Sequence, residues 1–160
     1  MSCISEILLL LFVINLGTAF GAGIYETRIV LPQWFSKSAE FGYSVNIEAM
    51  SKIDTGRKFW GFVTTISLTL LTLANLIVAW QSHEPRHDWW LAATLITLFE
   101  RIGTFSFFIP TAVKLQRADS LPSIRVTNLV SLWIRLNYIR NILTLIAWAA
   151  ALRALSLPAY

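Results

Sequence analysis

Hydrophobic residues are concentrated in long, nearly uncharged segments that alternate with shorter polar stretches. Four such segments run over residues 7–25, 59–80, 89–113 and 127–152. Each approaches or exceeds the ~20 residues that an α-helix needs to cross the hydrocarbon core of a bilayer. The pattern therefore predicts an all-α fold, an integral membrane four-helix bundle, in which residues 1–160 form a single domain.

Composition agrees with this class of protein. Of the 160 residues, 56% are hydrophobic and 14% are charged, and the mean hydropathy is +0.61, which is more apolar than soluble domains are. The net charge of +4 is small and dispersed, so we expect no nucleic-acid binding. Glu6 stands where a signal peptide would carry basic residues, so we expect the first segment to be retained as a span. Cys3 is the single cysteine of the sequence, which excludes an intramolecular disulfide.

The distribution of basic residues predicts the orientation. The stretches 26–58 and 114–125 hold eight Lys and Arg residues, whereas the opposite side holds Arg86 and Arg153. Because short basic loops remain in the cytoplasm, we expect both termini to be extracytoplasmic and loop 26–58 to be cytoplasmic, in an inner or plasma membrane. Tryptophans are expected at the two membrane interfaces. They are Trp34 and Trp60 on the inner side, and Trp80, Trp89 and Trp90 on the outer side.

Loop 26–58 carries two local signals. Leu31-Pro32 predicts an extended step, because proline disfavours the helical conformation in the residue before it. Apolar spacing across residues 44–53 predicts a short interfacial helix.

The fourth apolar segment has polar residues near its midpoint. At 100° per residue, one helical face carries the following side chains. They are Trp133, Asn137, Arg140, Thr144 and Trp148. An arginine at bilayer depth costs roughly 3 kcal/mol or more, so Arg140 is expected to face protein or water.

Glu100 is the predicted partner of Arg140. It lies eleven residues after Trp89, roughly 16 Å into the membrane, at a depth similar to that of Arg140 on an antiparallel helix. Arg101 is expected to point away from Glu100 and to need another partner, which the sequence does not identify. The pair would either fix helix register without chemistry or form a functional centre, since ionisable groups inside a membrane are often functional.

Two features are interpreted as structural. The segment 83–87 reads HEPRH, formally a zinc-peptidase motif, but Pro85 interrupts it in a short loop and the chain has no other histidine, so we predict no metal and no cofactor. A GxxxG at Gly17 and Gly21 permits close helix contact. The second segment has a small or polar face, which favours close packing against another helix. In the alternative interpretation, Asn75 of this face lines a cavity. That face carries Gly61, Thr65, Leu68, Thr72, Asn75 and Ala79.

Three short patterns resemble the anthrone oxygenase-like family of small four-span membrane proteins. They are Trp133-x-x-x-Asn137-x-x-Arg140, Gly21-x-x-x-Tyr25 and Pro32-x-Trp34. The resemblance implies a four-helix membrane domain. For some members it also implies oxidation of a polycyclic anthrone by O₂ without metal or flavin, with no established catalytic assignment for these positions.

Such chemistry requires a base, donors for an enolate oxygen and a dry aromatic pocket. Glu100 is the candidate base, and Asn137 and Arg140 are the candidate donors. The substrate-binding candidates are Trp133, Phe107, Thr104, Thr144 and Tyr25. An enzyme or binder of a small lipophilic aromatic compound is thus one hypothesis. The alternatives are a non-catalytic subunit of a larger membrane complex, a homo-oligomer and, more weakly, a transporter.

Overall fold

A computed structural model describes residues 3–38, 42–52, 60–82 and 85–158. Four helices in this part of the chain are long and apolar enough to cross a membrane. They are α1 (Cys3–Trp34), α3 (Trp60–Gln81), α4 (His87–Leu115) and α5 (Ser123–Ser156), and the short helix α2 (Ile47–Lys52) precedes α3. The prediction of four helices of this length is confirmed, and α1, α4 and α5 extend beyond both predicted ends.

Proline lies within two of the long helices without ending them. Pro32 in α1 follows a π-helical turn at Glu26–Val30, and Pro110 in α4 follows another at Thr104–Phe108. Proline has no N–H to donate and its ring crowds the preceding turn, and a widened turn accommodates both effects. The extended step predicted at Leu31-Pro32 is therefore wrong, and residues 26–34 belong to α1 rather than to a loop.

A small hairpin follows α1. Strands β1 (Phe35–Ser38) and β2 (Gly42–Val45) pair antiparallel, with Phe35 opposite Val45. The all-α prediction describes the bundle but misses this hairpin. The helix predicted over residues 44–53 forms as the shorter α2, because the first residues of that stretch pair as a strand.

The hairpin is attached to α5 through Gly42 and Tyr43. Gly42 has a φ of +75°, a conformation that favours glycine, and a β-carbon there would lie 2.6 Å from Oγ1 of Thr127. The backbone N–H of Tyr43 donates to the same hydroxyl at 3.1 Å. This close contact places the hairpin and α2 beside the first turns of α5.

The long helices pack in a ring in the order α1, α3, α4, α5, and α5 also contacts α1. Two buried apolar clusters hold the ring together. The first contains Leu9, Phe12, Val13, Leu16, Ala19, Leu68, Ala79, Trp90, Ala93, Ala147, Ala150, Ala151 and Ala154. The second contains Val30, Leu31, Trp34, Phe35, Met50, Phe108, Leu115, Val126, Val130 and Trp133.

The small and polar face of α3 packs inside the bundle. Asn75 is fully buried, its Nδ2 donates to the carbonyl oxygen of Leu8 at 3.1 Å, and its Oδ1 accepts from Nε1 of Trp90 at 3.0 Å. The interpretation of this face as a packing surface is confirmed for Leu68, Thr72, Asn75 and Ala79, whereas Gly61 and Thr65 line an internal cavity. Gly17 is close to α5 as well, because a β-carbon there would lie 3.0 Å from the Trp148 ring, whereas Gly21 has nothing within 4 Å.

The tryptophans expected at the membrane interfaces fall into two groups. Trp80 and Trp89 are exposed, 71% and 48% respectively, as an interfacial position requires. Trp90 is fully buried and Trp34 is 8% exposed, so the interfacial assignment of these two residues is wrong. Both pack against other parts of the bundle that the sequence pattern of their own segments does not reveal.

Candidate functional site

A cavity of about 660 Å³ lies within the bundle and is lined by residues of α2 and of all four long helices. Its walls are mostly apolar and aromatic, with a small set of charged and hydroxyl groups. The aromatic lining residues are Trp34, Trp60, Phe108 and Trp133, and the charged ones are Glu26, Glu100, Arg101, Arg117 and Arg140. Apolar walls with a few polar groups are typical of sites for small molecules.

One ion pair in the cavity joins α1 to α5. Nη2 of Arg140 donates to Oε2 of Glu26, and the two side chains are 15% and 5% exposed. The guanidinium carbon of Arg140 lies 4.6 Å from the centroid of the Phe108 ring and 5.9 Å from that of Trp60. Arg140 is thus held by a carboxylate and by two aromatic faces, which attract a cation electrostatically.

A second ion pair lies within α4. Nε of Arg101 donates to Oε2 of Glu100 at 2.6 Å, and Nη2 contacts the same oxygen. Nη1 of Arg101 donates to the carbonyl oxygen of Thr64 at 2.6 Å, which links α4 to α3. The hydroxyl of Thr104 donates to Oε1 of Glu100 at 3.1 Å.

These contacts show that the predicted Glu100–Arg140 pair is wrong. Each partner is engaged elsewhere, Glu100 by Arg101 and Arg140 by Glu26. The expectation that adjacent helical residues point apart holds for their β-carbons. The long arginine side chain nevertheless bends back far enough for its guanidinium to reach the neighbouring carboxylate. Arg101, whose partner the sequence did not identify, is therefore paired with Glu100.

Glu26 is a buried charged residue of the cavity that was absent from the predicted site residues. The first span was predicted to end at residue 25, which placed Glu26 in a cytoplasmic loop. A signal was present, since Glu26 continues the polar stripe of Asn15, Thr18 and Ala22 along one face of the helix. The π turn at Glu26–Val30 carries the helix onward and brings the carboxylate to the cavity.

Among the described residues, three π-helical segments occur, and each contributes lining residues. Glu26 begins the turn in α1, and Thr104 and Phe108 bound the turn in α4. Trp60 and Thr64 belong to the π-helical turns Trp60–Ser67 of α3. Such turns are rare and frequently occur at functional sites. Their concentration around one cavity supports its assignment as the candidate site.

Three of the five predicted substrate-binding residues, Trp133, Thr104 and Thr144, line the cavity. Phe107 does not, and the adjacent Phe108 lines the cavity instead; both rings contact Trp133, with centroids 6.4 and 5.2 Å away. Tyr25 is 60% exposed and lies outside the lining. The helical phase within the π turns differs from 100° per residue, which explains the displacement of Phe107.

Asn137 is also outside the cavity lining, although it was predicted as an enolate donor. It is fully buried, and its Nδ2 donates to the hydroxyl of Thr27 at 2.7 Å. Asn141 lines the cavity instead, and its Nδ2 donates to the same hydroxyl at 2.9 Å. The two asparagines thus attach α5 to α1 beside the Glu26–Arg140 pair.

Two lining residues carry unused hydrogen-bond donors. Nε1 of Trp34 and Nε1 of Trp133 are buried and have no partner among the described residues. A buried polar group without a partner costs about 1–3 kcal/mol, so such groups call for an explanation. Neither nitrogen is accessible from the cavity space, so these donors are unsatisfied within the fold and are not contacts for a bound molecule.

The described residues of the histidine motif, 85–87, do not line the cavity. His83 and Glu84 lie outside the described residues, and Nδ1 of His87 lies 2.9 Å from the carbonyl oxygen of Ala79 at the end of α3. Within the described part of the chain, no group of three His, Cys, Asp or Glu residues is arranged to hold a metal ion.

No family model matches the chain, and no curated protein or solved structure is significantly similar to it. The fold and the site therefore define the chain by themselves as a mostly helical protein with four helices of membrane-spanning length around a largely apolar cavity that contains two buried ion pairs. The resemblance to the anthrone oxygenase-like family stays a hypothesis.

Proposed function

We propose that this is an integral membrane protein that binds a small, lipophilic, quinone-like aromatic compound in the cavity and oxidises it without metal or flavin. The observation that carries the proposal is the cavity itself, which combines aromatic walls with buried charge. Its volume of about 660 Å³ falls within the ~300–1,000 Å³ typical of small-molecule sites.

The charges in the cavity favour a ligand that is neutral when it binds. The buried charges of Glu26 and Glu100 are balanced by those of Arg101 and Arg140, so their sum is zero. Arg117, the remaining charged lining residue, is exposed and solvated. A charged ligand would therefore bring an uncompensated charge into the buried part of the site, which is unfavourable.

Arg140 favours a ligand that carries oxygen atoms. A carbonyl or hydroxyl oxygen can accept from the guanidinium N–H groups that do not pair with Glu26, and the flat indole and Phe108 rings can stack on an aromatic ligand. Conversion of a ring CH₂ of an anthrone to a carbonyl consumes one O₂ and releases one water. The protein would supply a base, donors for the enolate oxygen and exclusion of bulk water.

Binding of a neutral hydroxylated anthraquinone to the purified protein in lipid nanodiscs tests the proposal. We expect saturable binding above that of empty nanodiscs, and O₂-dependent conversion when anthrone is supplied. Trp34→Leu and Trp133→Leu should each weaken binding about two- to tenfold, the effect of losing one aromatic contact worth ~0.5–1.5 kcal/mol. Trp80→Leu, which alters an exposed tryptophan outside the cavity lining, serves as the matched control. Absence of saturable binding would contradict the proposal.

The alternative of a non-catalytic subunit loses part of its sequence support. It relied on the GxxxG at Gly17 and Gly21 and on the small face of α3. Gly17 and the Asn75 part of that face are used for packing within this chain, whereas Gly21 has nothing within 4 Å. This alternative would be favoured if a protein partner co-purified in stoichiometric amount and the cavity of the purified protein contained no ligand.

Both termini are proposed to be extracytoplasmic, on the basis of the asymmetry in basic residues.

A further inference from the structure

The two carboxylates in the cavity, Glu26 and Glu100, differ in how many of their oxygen atoms accept hydrogen bonds within the protein. Glu100 accepts hydrogen bonds on both oxygens, Oε2 from Arg101 and Oε1 from Thr104. Glu26 accepts on Oε2 from Arg140, and its Oε1 has no hydrogen-bond partner among the described residues. The side chain of Glu26 is 95% buried and lines the cavity, so this free oxygen is available to a bound molecule rather than to bulk solvent.

The two arginines show the same contrast. Arg101 uses Nε, Nη1 and Nη2 in contacts with Glu100 and Thr64. Arg140 donates through Nη2 to Glu26, and within the described residues its Nε and Nη1 make no further hydrogen bond. A guanidinium presents five N–H donors, so Arg140 retains capacity for a ligand oxygen.

We propose that Glu26 is the proton acceptor of this site and that Arg140 holds the oxygen of the anion that results. The inference rests on the proposed function, since it concerns the ligand of the same cavity. In this proposal, the Glu100–Arg101 pair has a structural role: through the hydrogen bond from Arg101 to Thr64, it holds α4 against α3. The base expected from the sequence, Glu100, is replaced in this role by Glu26.

The proton transfer balances within the pair. An acidic C–H bond of the neutral ligand breaks, its electron pair delocalises onto the ligand oxygen, and the proton forms an O–H bond at Oε1 of Glu26. Glu26 becomes neutral as the ligand becomes an anion, so the total charge of the cavity is unchanged. Arg140 exchanges one anionic partner for another at short range, which avoids leaving a buried charge unpaired.

Hydrogen exchange into the ligand measures this step directly and needs no oxygen. Anthrone is incubated anaerobically with the protein in nanodiscs in D₂O, and deuterium at its acidic ring carbon is followed by mass spectrometry. We expect the protein to accelerate exchange above the rate with empty nanodiscs. Glu26→Gln should lower the protein-dependent rate of deuterium exchange about 10²-fold or more, the usual contribution of a general base. Glu26→Asp, which retains a carboxylate, should show an exchange rate between those of Glu26→Gln and the wild-type protein.

Infrared difference spectroscopy provides a second readout that requires no mutation at Glu26. Anaerobic addition of anthrone to the wild-type protein should produce the C=O band of a newly protonated carboxyl group. The band should persist in Glu100→Gln, where the Glu26 carboxylate is intact. This measurement keeps the proposal testable even if Glu26→Gln does not fold.

The outcomes separate this inference from the proposed function. If the wild-type protein does not bind the aromatic probe, the proposed function itself fails. If it binds the probe but neither accelerates exchange nor shows the carboxyl band, the assignment of a base is wrong. A third outcome would overturn the present assignment. If Glu100→Gln abolishes hydrogen exchange into anthrone or the carboxyl C=O band, and Glu26→Gln still accelerates the exchange, then Glu100 is the base.

Discussion

Replacing Arg140 by methionine removes the guanidinium that pairs with Glu26, and two double-mutant cycles that share this change distinguish its possible partners. The first cycle combines Arg140→Met with Glu26→Gln, and the second combines it with Glu100→Gln. The structure places Arg140 in contact with Glu26, whereas Glu100 is engaged by Arg101. We therefore expect strong coupling in the first cycle and weak coupling in the second.

The magnitudes follow from burial and contacts. Glu26 and Arg140 are 5% and 15% exposed, and removal of one partner from a buried pair typically costs about 3–5 kcal/mol. Arg140→Met also loses the cation–π contact with Phe108, at 4.6 Å, worth about 1 kcal/mol. Glutamine at position 26 can still accept a hydrogen bond, which lowers the cost of that change. Residues in direct contact couple by about 0.5–3 kcal/mol, and we expect ~2 kcal/mol for the first cycle.

The measurement is the free energy of unfolding in mixed detergent micelles, followed by tryptophan fluorescence during titration with a denaturing detergent. In the first cycle, the double variant should be more stable than the sum of the two single losses predicts. In the second cycle, the losses should add to within about 0.5–1 kcal/mol, as they do for residues without a shared partner. Additive losses in the first cycle together with coupling in the second would refute the pairing described above.

Three further predictions concern packing and topology. Asn75→Ala should lower the free energy of unfolding by about 1–2 kcal/mol, because the indole N–H of Trp90 loses its acceptor. In a Trp90→Phe background the loss should be smaller. An equal loss would show that this hydrogen bond is not the cause. Gly23→Ala should destabilise the folded protein by about 1–3 kcal/mol, because the added methyl group overpacks against Asn141 of α5. Gly21→Ala, where the methyl group has free space, should be neutral or stabilising. Equal effects of the two changes on thermal stability would contradict the overpacking at Gly23. A reporter fused after Tyr160 should be active outside the cytoplasm, and cytoplasmic activity would overturn the orientation.

Several properties of the protein follow from the sequence because they depend on local information. The length of each apolar run determines that a helix can cross a bilayer, without reference to its neighbours. The position of Arg140 within such a run likewise requires a protected environment for its charge. The 3.6-residue period then shows that Trp133 and Thr144 share a face with it, and both line the cavity.

Features that depend on local irregularity could not be predicted in this way. The first predicted span ended with the apolar run at residue 25, and the proline rule predicted an extended step at Leu31. In the folded protein, the turn Glu26–Val30 widens, Leu31 and Trp34 are buried in the second cluster, and the helix continues. Packing energy thus overrides a local preference, and Glu26 reaches the cavity as a result.

The choice of partners was decided by the tertiary structure alone. Helical periodicity shows which residues of one helix share a face, but it contains no information about which face of another helix that face contacts. Glu26 meets Arg140 because α1 packs against α5. Glu100 meets Arg101 because a flexible side chain bends back along its own helix when the neighbouring α3 offers the carbonyl of Thr64. The sequence therefore determined that buried charges must be paired, and the rotation of the helices about their axes determined which charges pair.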